Sequence, residues 1–425
     1  MDGAEHVHDV VVVGGGQAGL AAGYFLRRAG LDFAVLDAGE GPGGSWTEYW
    51  GSLRLFSPAE HSMLPGWWMP AEEGREYPSA RHVARYLAEY ERRYELPVRR
   101  PVRVEAVERE DGALRVLARE GTGRELPSGT PRSAAKRPVD GDGRQEGETH
   151  DGPPPADPDS PGFPGSPGSP GSPGSTGSPG SPAQRSPLVS WRARHVISAT
   201  GTWRAPHVPD VAGRELFAGR QLHTVDYRGP EEFAGQRVVV VGGGNSAAQI
   251  LAELSGVAET TWATARPPRF LPDDLDGRAL FGVATRAQRA AQRGEEAPRG
   301  VGGLGDIVVV PTVREARERG ALKAEPMFDR LTRTGVAWND GTSLDCDAVL
   351  WCTGFRPVLD HLAPLGLADD RGRIALEGTR SVAEPRLFLL GYGDWTGAAS
   401  ATLIGAGRTA KGTVAEITAA LARRE

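Results

Sequence analysis

Cysteine is almost absent from this chain of 425 residues: only Cys346 and Cys352 occur. Two thiols are too few for a disulfide framework, and their spacing fits neither a redox CxxC pair nor a zinc site. Both read as reduced residues in or beside a strand, and no metal centre is expected. Long apolar runs are missing as well. No run approaches the roughly 18 residues of a membrane span. The stretch Val10 to Val13 is too short for a signal peptide and has no basic stretch before it. The expected location is the cytoplasm, off the membrane. Positive charge is not in excess, since 49 Lys and Arg face 55 Asp and Glu for a net charge of −6. Nothing global therefore attracts nucleic acid.

What remains is a globular composition, 39% hydrophobic and 24% charged, long enough for two ordinary domains. The first strong pattern is a Val-rich run, His8 to Gly14, followed by a helical pattern from Gln17 to about Ala29 and a second apolar run, Phe33 to Leu36. β-Branched runs alternating with helices predict a parallel sheet covered on both faces. Residues 81–95 read as a helix. Val102 to Val107 and Leu114 to Ala118 read as paired strands, whose third partner arrives only at Leu188 to Ser198. From Arg237 the pattern restarts: strand 237–242, helix 245–255, strand 260–264. Later come a helix at 284–293 and strands at 306–310, 347–352 and 386–390. The 347–352 strand follows a turn at Trp338 to Gly341, and a last helix starts near Ser400.

Residues 121–187 differ in composition and end in a repeat with glycine at 162, 165, 168, 171, 174, 177 and 180. Such a short run of triplets is poor support for a collagen triple helix, so the segment reads as a disordered loop of polyproline character. Lengthening a hairpin loop from about 4 to about 64 residues takes four doublings, roughly 2.4 kcal/mol at about 0.6 each. A packed domain tolerates that. The segment is therefore an insertion within one domain.

Two glycine-rich turns carry the chemistry. The first is Gly14-Gly15-Gly16-Gln17-Ala18-Gly19, between a strand and a helix, with Asp37 ending the next strand 18 residues beyond Gly19. Gly14 makes the tight turn, Gly16 lets a pyrophosphate approach the backbone, and Gly19 lets helix and strand pack closely. The helix N-terminus offers unpaired N–H groups and partial positive charge, and Asp37 is placed to accept from a ribose. The second turn is Gly242-Gly243-Gly244-Asn245-Ser246-Ala247, with alanine at the tolerated third position. No acid ends its following strand; Arg266 stands there, 19 residues beyond Ala247. An acid would repel the 2′-phosphate of NADPH, whereas Arg266 would pair with it. Two dinucleotide sites in one chain suit a flavin and a nicotinamide, because one passes hydride to the other. The first is then the FAD site. It is completed by Leu387 to Asp394, where Asp394 would bind the ribityl hydroxyls and the following helix would aim its N-terminus at the flavin.

On these residues the chain resembles the class B flavoprotein monooxygenases, the flavin-containing monooxygenase superfamily, over everything except 121–187. Gly43-Gly44-Ser45-Trp46 is similar to the GGxW element beside FAD. Ala199-Thr200-Gly201 and Cys352-Thr353-Gly354-Phe355 resemble the two crossings between domains. The stretch from Phe217 through Gly219 and His223 to Tyr227 and Arg228 is similar to the FxGxxxHxxx(F/Y)(K/R) fingerprint of the N- and S-oxygenating branch. Trp50 to Glu60, Pro267 to Gly277 and Gly391 to Ser400 resemble flavin monooxygenase-like proteins associated with arsenic-resistance operons, although two cysteines in one strand region make a thiolate arsenite cage improbable.

The resemblance implies two Rossmann-like dinucleotide-binding domains. The FAD domain takes 1–120, 188–232 and 354–425, and the NADPH domain takes 233–353. It implies that NADPH reduces FAD, that O₂ forms a C4a-hydroperoxide, and that one oxygen passes to a small soft nucleophile at N, S or arsenic. Trp46, Tyr49, Trp50, Phe56, Trp67 and Trp68 would exclude water. No acid–base pair is demanded. Catalytic candidates are Ser57 and His61 near the flavin, His223, which would orient the linker near the nicotinamide, and Asn245, which would reach the cofactor phosphates or the pocket. Competing readings are an NADPH oxidase or flavin reductase releasing H₂O₂, and a non-catalytic flavin redox sensor. The sequence leaves oligomeric state open.

Overall fold

The computed structural model describes residues 6–121, 187–273 and 307–423, all within one compact unit. The insertion and the helix expected at 284–293 lie outside the described residues.

The first sheet is built on β1 (Val7–Val13), β2 (Phe33–Leu36), β3 (Val98–Arg99), β6 (Leu188–Ser198) and β17 (Leu387–Leu389). These five run parallel in the order β3-β2-β1-β6-β17. β4 (Val102–Glu110) and β5 (Ala113–Glu120) join antiparallel through the amino half of β6, while its carboxyl half pairs with β1. Two short strands, β15 (Leu376–Glu377) and β16 (Arg380–Ser381), close the other edge. The Val-rich run works because both faces of β1 are covered. Val10 and Val12 pack with helices α1 (Gln17–Arg28), α2 (Ala80–Arg93) and α5 (Leu403–Ala422), while Val11 and Val13 pack under the β4–β5 meander. Each such side chain contributes about 1.5–3 kcal/mol of burial.

The second sheet repeats the first. β7 (Arg220–His223), β8 (Arg237–Val241), β9 (Glu259–Thr264), β10 (Ala324–Pro326) and β14 (Ala348–Trp351) run parallel in the order β10-β9-β8-β14-β7. β8 plays the part of β1. Its Val238 and Val240 face α3 (Asn245–Leu254) and α4 (Pro311–Glu318), and its Val239 and Val241 face the meander of β11 (Arg330–Leu331), β12 (Gly335–Ala337) and β13 (Ser343–Asp345). The expected turn at Trp338–Gly341 joins β12 to β13.

One expected strand fails. Of the described part of the run at 306–310, residues 307–310, only Ile307 pairs, in an isolated bridge with Phe270. Pro311 then opens α4, because proline at a first helical position loses no hydrogen bond.

Candidate active site

At the carboxyl end of β1 the chain turns at Gly14, whose φ of +106° lies in the left-handed region. A Cβ on Gly14 would stand 2.5 Å from the Ala199 carbonyl oxygen, and one on Gly19 would overlap the Gly14 carbonyl. Gly16 differs: nothing lies within 4 Å of the place its Cβ would take. The second turn matches at its first and third glycines, with Ala247 standing where the first turn has Gly19. Gly242 has φ +128°, its Cβ would overlap the Cys352 carbonyl, and Gly244 faces open space. Gly14, Gly19 and Gly242 are thus demanded by the protein's own backbone, and one glycine in each turn, Gly16 or Gly244, opens onto room for a ligand. Helix N-termini stand directly behind both openings, at Gln17 and Asn245.

Around the first turn, Gly44 rests on Gly16, its Cβ position 3.1 Å from the Gly16 Cα. Gln17 accepts from the Trp46 indole N–H at 3.0 Å and donates to the Ala401 carbonyl at 2.5 Å, so the starts of α1 and α5 are joined beside the opening. Ala18 is buried against Gly391. Asp37 is half of a half-buried ion pair: the Arg100 Nε donates to its Oδ2 at 2.6 Å, and Arg100 also donates to Glu91 at 2.7 Å. No sequence signal pointed to Arg100, which arrives from 63 residues away. Asp394 is exposed in a 3₁₀ turn, Gly393–Thr396, pinned by the Ser400 hydroxyl donating to the Gly393 carbonyl at 2.6 Å.

At the second turn, the Asn245 Oδ1 accepts from the Val308 amide at 2.8 Å. This side-chain oxygen therefore braces the chain before α4, where the sequence suggested cofactor phosphates. Ser246 lies in the first turn of α3. Arg266 is exposed just past β9, and its carbonyl lies 4.0 Å from the Cβ position of Gly243.

His223 has both ring nitrogens engaged. Nε2 faces the Gly354 carbonyl at 3.0 Å, and Nδ1 accepts from the Val225 amide at 3.4 Å. Burial lowers its pKa, which suits a neutral ring holding the end of β7 to the 352–355 crossing. Ser57 is buried with its hydroxyl 2.7 Å from that of Ser62. His61 Nδ1 lies 3.7 Å from Glu60.

The aromatic patch divides. Trp46, Tyr49, Trp203, Phe355 and His223 form a continuous row, with successive ring centroids 5.2, 4.1, 5.3 and 5.0 Å apart. It runs from the first turn to the second crossing. Trp67 instead stacks on Tyr86 of α2 at 5.0 Å, and Trp68 is 65% exposed. Of the six aromatics expected together, Trp46, Tyr49, Trp50 and Phe56 share one cluster, and the row adds Trp203 and Phe355.

Both cysteines are free and buried. Burial raises the Cys346 thiol to about 11 and the Cys352 thiol to about 12. Neither supplies a thiolate near neutrality. Among the described residues, His6, His8 and Asp32 bring metal-ligating atoms together, with both histidines hydrogen-bonded to the Asp32 Oδ2 at the amino end of β1. No described helix is long and apolar enough to cross a membrane.

Two sheets whose five-stranded parallel cores share one spatial arrangement, each with an open glycine turn on its central strand, define a two-dinucleotide-binding flavoprotein. Comparison with known proteins narrows the class. The pyridine nucleotide-disulphide oxidoreductase family matches residues 11–124 and 189–270. A flavin-containing monooxygenase from Stenotrophomonas maltophilia is 44% identical, with a TM-score of 0.75 over 98% of this chain and 99% of that one. A CzcO-like oxidoreductase of Geobacillus kaustophilus is 23% identical over 403 residues, 94% of this chain and 95% of its own. The indole-3-pyruvate monooxygenase YUCCA1 of Oryza sativa subsp. japonica is 28% identical over 222 residues, 45% of this chain and 53% of its own. The chain belongs to the flavin-containing monooxygenases and is an oxidoreductase. Its two open turns fit that family's cofactors, FAD and NADPH.

Proposed function

We propose that the protein is an NADPH-dependent monooxygenase that transfers one atom of O₂ to a small soft nucleophile at nitrogen, sulfur or trivalent arsenic. The observation carrying this reading is the row Trp46–Tyr49–Trp203–Phe355, an apolar path from the Gly16 opening to the crossing beside the second turn. Bound flavin supplies the oxygen-activating chemistry, for which no protein acid–base pair is needed. The chain's own residues bind, orient and keep water out.

FAD is assigned to Gly14, Gly16, Ala18 and Gly19, with Gln17, Gly44 and Trp46 over the opening. Asp37, its Oδ2 held by Arg100, offers Oδ1 to the ribose, and Asp394 serves the ribityl chain. NADPH is assigned to Gly242, Gly244, Asn245 and Ser246, with Arg266 for the 2′-phosphate. FAD takes 1–120, 188–232 and 354–425 and NADPH takes 233–353, with Arg220–His223 lending its strand to the second sheet. His223 keeps the crossing in place. An arsenical substrate would find no thiolate cage at Cys346 and Cys352, so recognition would rest on shape and on the aromatic row.

The test is rapid mixing of the NADPH-reduced enzyme with oxygenated buffer, with and without NADP⁺, followed by absorbance. An oxygen-loaded species that persists when NADP⁺ is present supports the monooxygenase. Immediate return to the oxidised spectrum with stoichiometric H₂O₂ would replace it with an oxidase.

A further inference from the structure

Glu253 stands in the last turn of α3, where the helix's own carbonyls already concentrate negative charge. An acid is poorly placed there unless donors offset it, and three converge on it. Oε1 accepts from the Trp50 indole N–H at 3.1 Å and from the Ser52 hydroxyl at 2.7 Å, and Oε2 accepts from the Tyr227 hydroxyl at 2.9 Å.

The donors come from two distant stretches. Trp50 and Ser52 continue the segment whose Gly44 rests on Gly16 and whose Trp46 donates to Gln17. Tyr227 is the next-to-last residue of the Phe217–Arg228 fingerprint, and its ring meets that of Trp50 at 5.7 Å, both about 1% exposed. The opposite end of α3 begins at Asn245, directly behind the Gly244 opening. One carboxylate thus ties the helix that serves the second turn to the segment lying on the first.

We propose that Glu253 is a positioning residue that holds the second dinucleotide at its working distance from the first, acting through Trp50, Ser52 and Tyr227. The inference rests on the assignment of the nicotinamide nucleotide to the second turn. With Glu253 removed, α3 is free to shift. NADP⁺ is then held more weakly, and reducing equivalents are lost by NADPH + H⁺ + O₂ → NADP⁺ + H₂O₂. A cleft of about 330 Å³, lined in part by Gly51, Ser52, Arg228 and Gly229, opens beside the carboxylate. Truncation therefore admits water and leaves no sealed cavity.

The experiment compares the flavin-loaded wild type with Glu253→Ala, Glu253→Gln and Tyr227→Phe. The readouts are NADP⁺ affinity by calorimetry, H₂O₂ release without substrate, and thermal midpoint. Glu253→Ala is expected to weaken NADP⁺ binding about tenfold and raise H₂O₂ release several-fold with flavin content unchanged. Glu253→Gln keeps an acceptor for Trp50 and Ser52 and should stay within about threefold of wild type, with Tyr227→Phe between the two. Should Glu253→Ala not fold, the ordering of the other two variants decides. Wild-type affinity and H₂O₂ release in Glu253→Ala, or a lowered thermal midpoint alone, would overturn the proposal. Absence of NADP⁺ binding in the wild type would instead overturn the assignment beneath it.

Discussion

Gly19 lies so close beneath Gly14 that a Cβ on it would overlap the Gly14 carbonyl oxygen, whereas Gly16 between them has nothing within 4 Å of its Cβ position. The backbone of Gly16, at φ −79° and ψ −171°, is one that any residue adopts. The protein alone therefore tolerates a side chain at Gly16 and not at Gly19. Gly16→Val is expected to fold with a near wild-type circular dichroism spectrum and to purify without bound FAD. Gly19→Val is expected to fail to fold. A yellow Gly16→Val protein with full flavin content would remove FAD from this turn.

Much of this site was legible in the sequence because its parts are local. Val7–Val13, the glycines and Phe33–Leu36 fall within 30 residues, and each position answers to one steric demand. The same held at Gly242–Gly244. What escaped is long-range. Arg100 reaches Asp37 across 63 residues, Glu253 collects donors from positions 50, 52 and 227, and β7 pairs with β14 across more than a hundred residues. The apolar run at 306–310 misled because β-branched residues mark strands only when a partner strand is present. The bond from the Val308 amide to the Asn245 Oδ1 was equally out of reach, since it spans 63 residues.

The ends of β5 and β6 bear on residues 123–185. Arg119 pairs directly with Leu188 across the antiparallel ladder, so the two chain ends already stand side by side. Replacing 123–185 by a short glycine-containing turn should leave flavin content and the rate of NADPH oxidation within about twofold of wild type. Loss of folding would show that the body depends on the removed residues. Loss of activity with folding intact would give them a role at the site.

His361 is buried and joined to the Ser198 hydroxyl at 3.1 Å, and burial lowers its pKa from 6.5 to about 4. Because the folded-state value is depressed, its contribution to stability is complete above the unfolded value near 6.5 and is lost as pH falls toward 4. Between those limits the unfolded chain takes a proton that the folded chain refuses. At pH 5 the loss is about 2 kcal/mol, at roughly 1.4 kcal/mol per pH unit. His361→Gln keeps a donor toward Ser198 without titrating. It should flatten the fall in denaturation midpoint between pH 7.5 and 5 by about that amount. An unchanged slope would mean that His361 titrates normally.

Arg266 is expected to set the choice of nicotinamide. It follows β9 at the place where a ribose-binding acid would stand in an enzyme for NADH, and its backbone adjoins Gly243 of the second turn. Its side chain is exposed, so it is open to a ligand phosphate. Charge-assisted hydrogen bonds contribute about 1.5–3 kcal/mol, roughly a 10- to 150-fold effect at 1.4 kcal/mol per decade. Arg266→Ala should therefore raise KM for NADPH by about that factor while leaving KM for NADH nearly untouched, since NADH has no 2′-phosphate to lose. The visible flavin spectrum should not change, because this residue belongs to the second turn. The measurement is KM and kcat/KM for both nucleotides in wild type and variant. Equal losses for the two would show that Arg266 supports the fold of the turn without reading the phosphate, and a wild-type preference for NADH would take NADPH away from this site altogether.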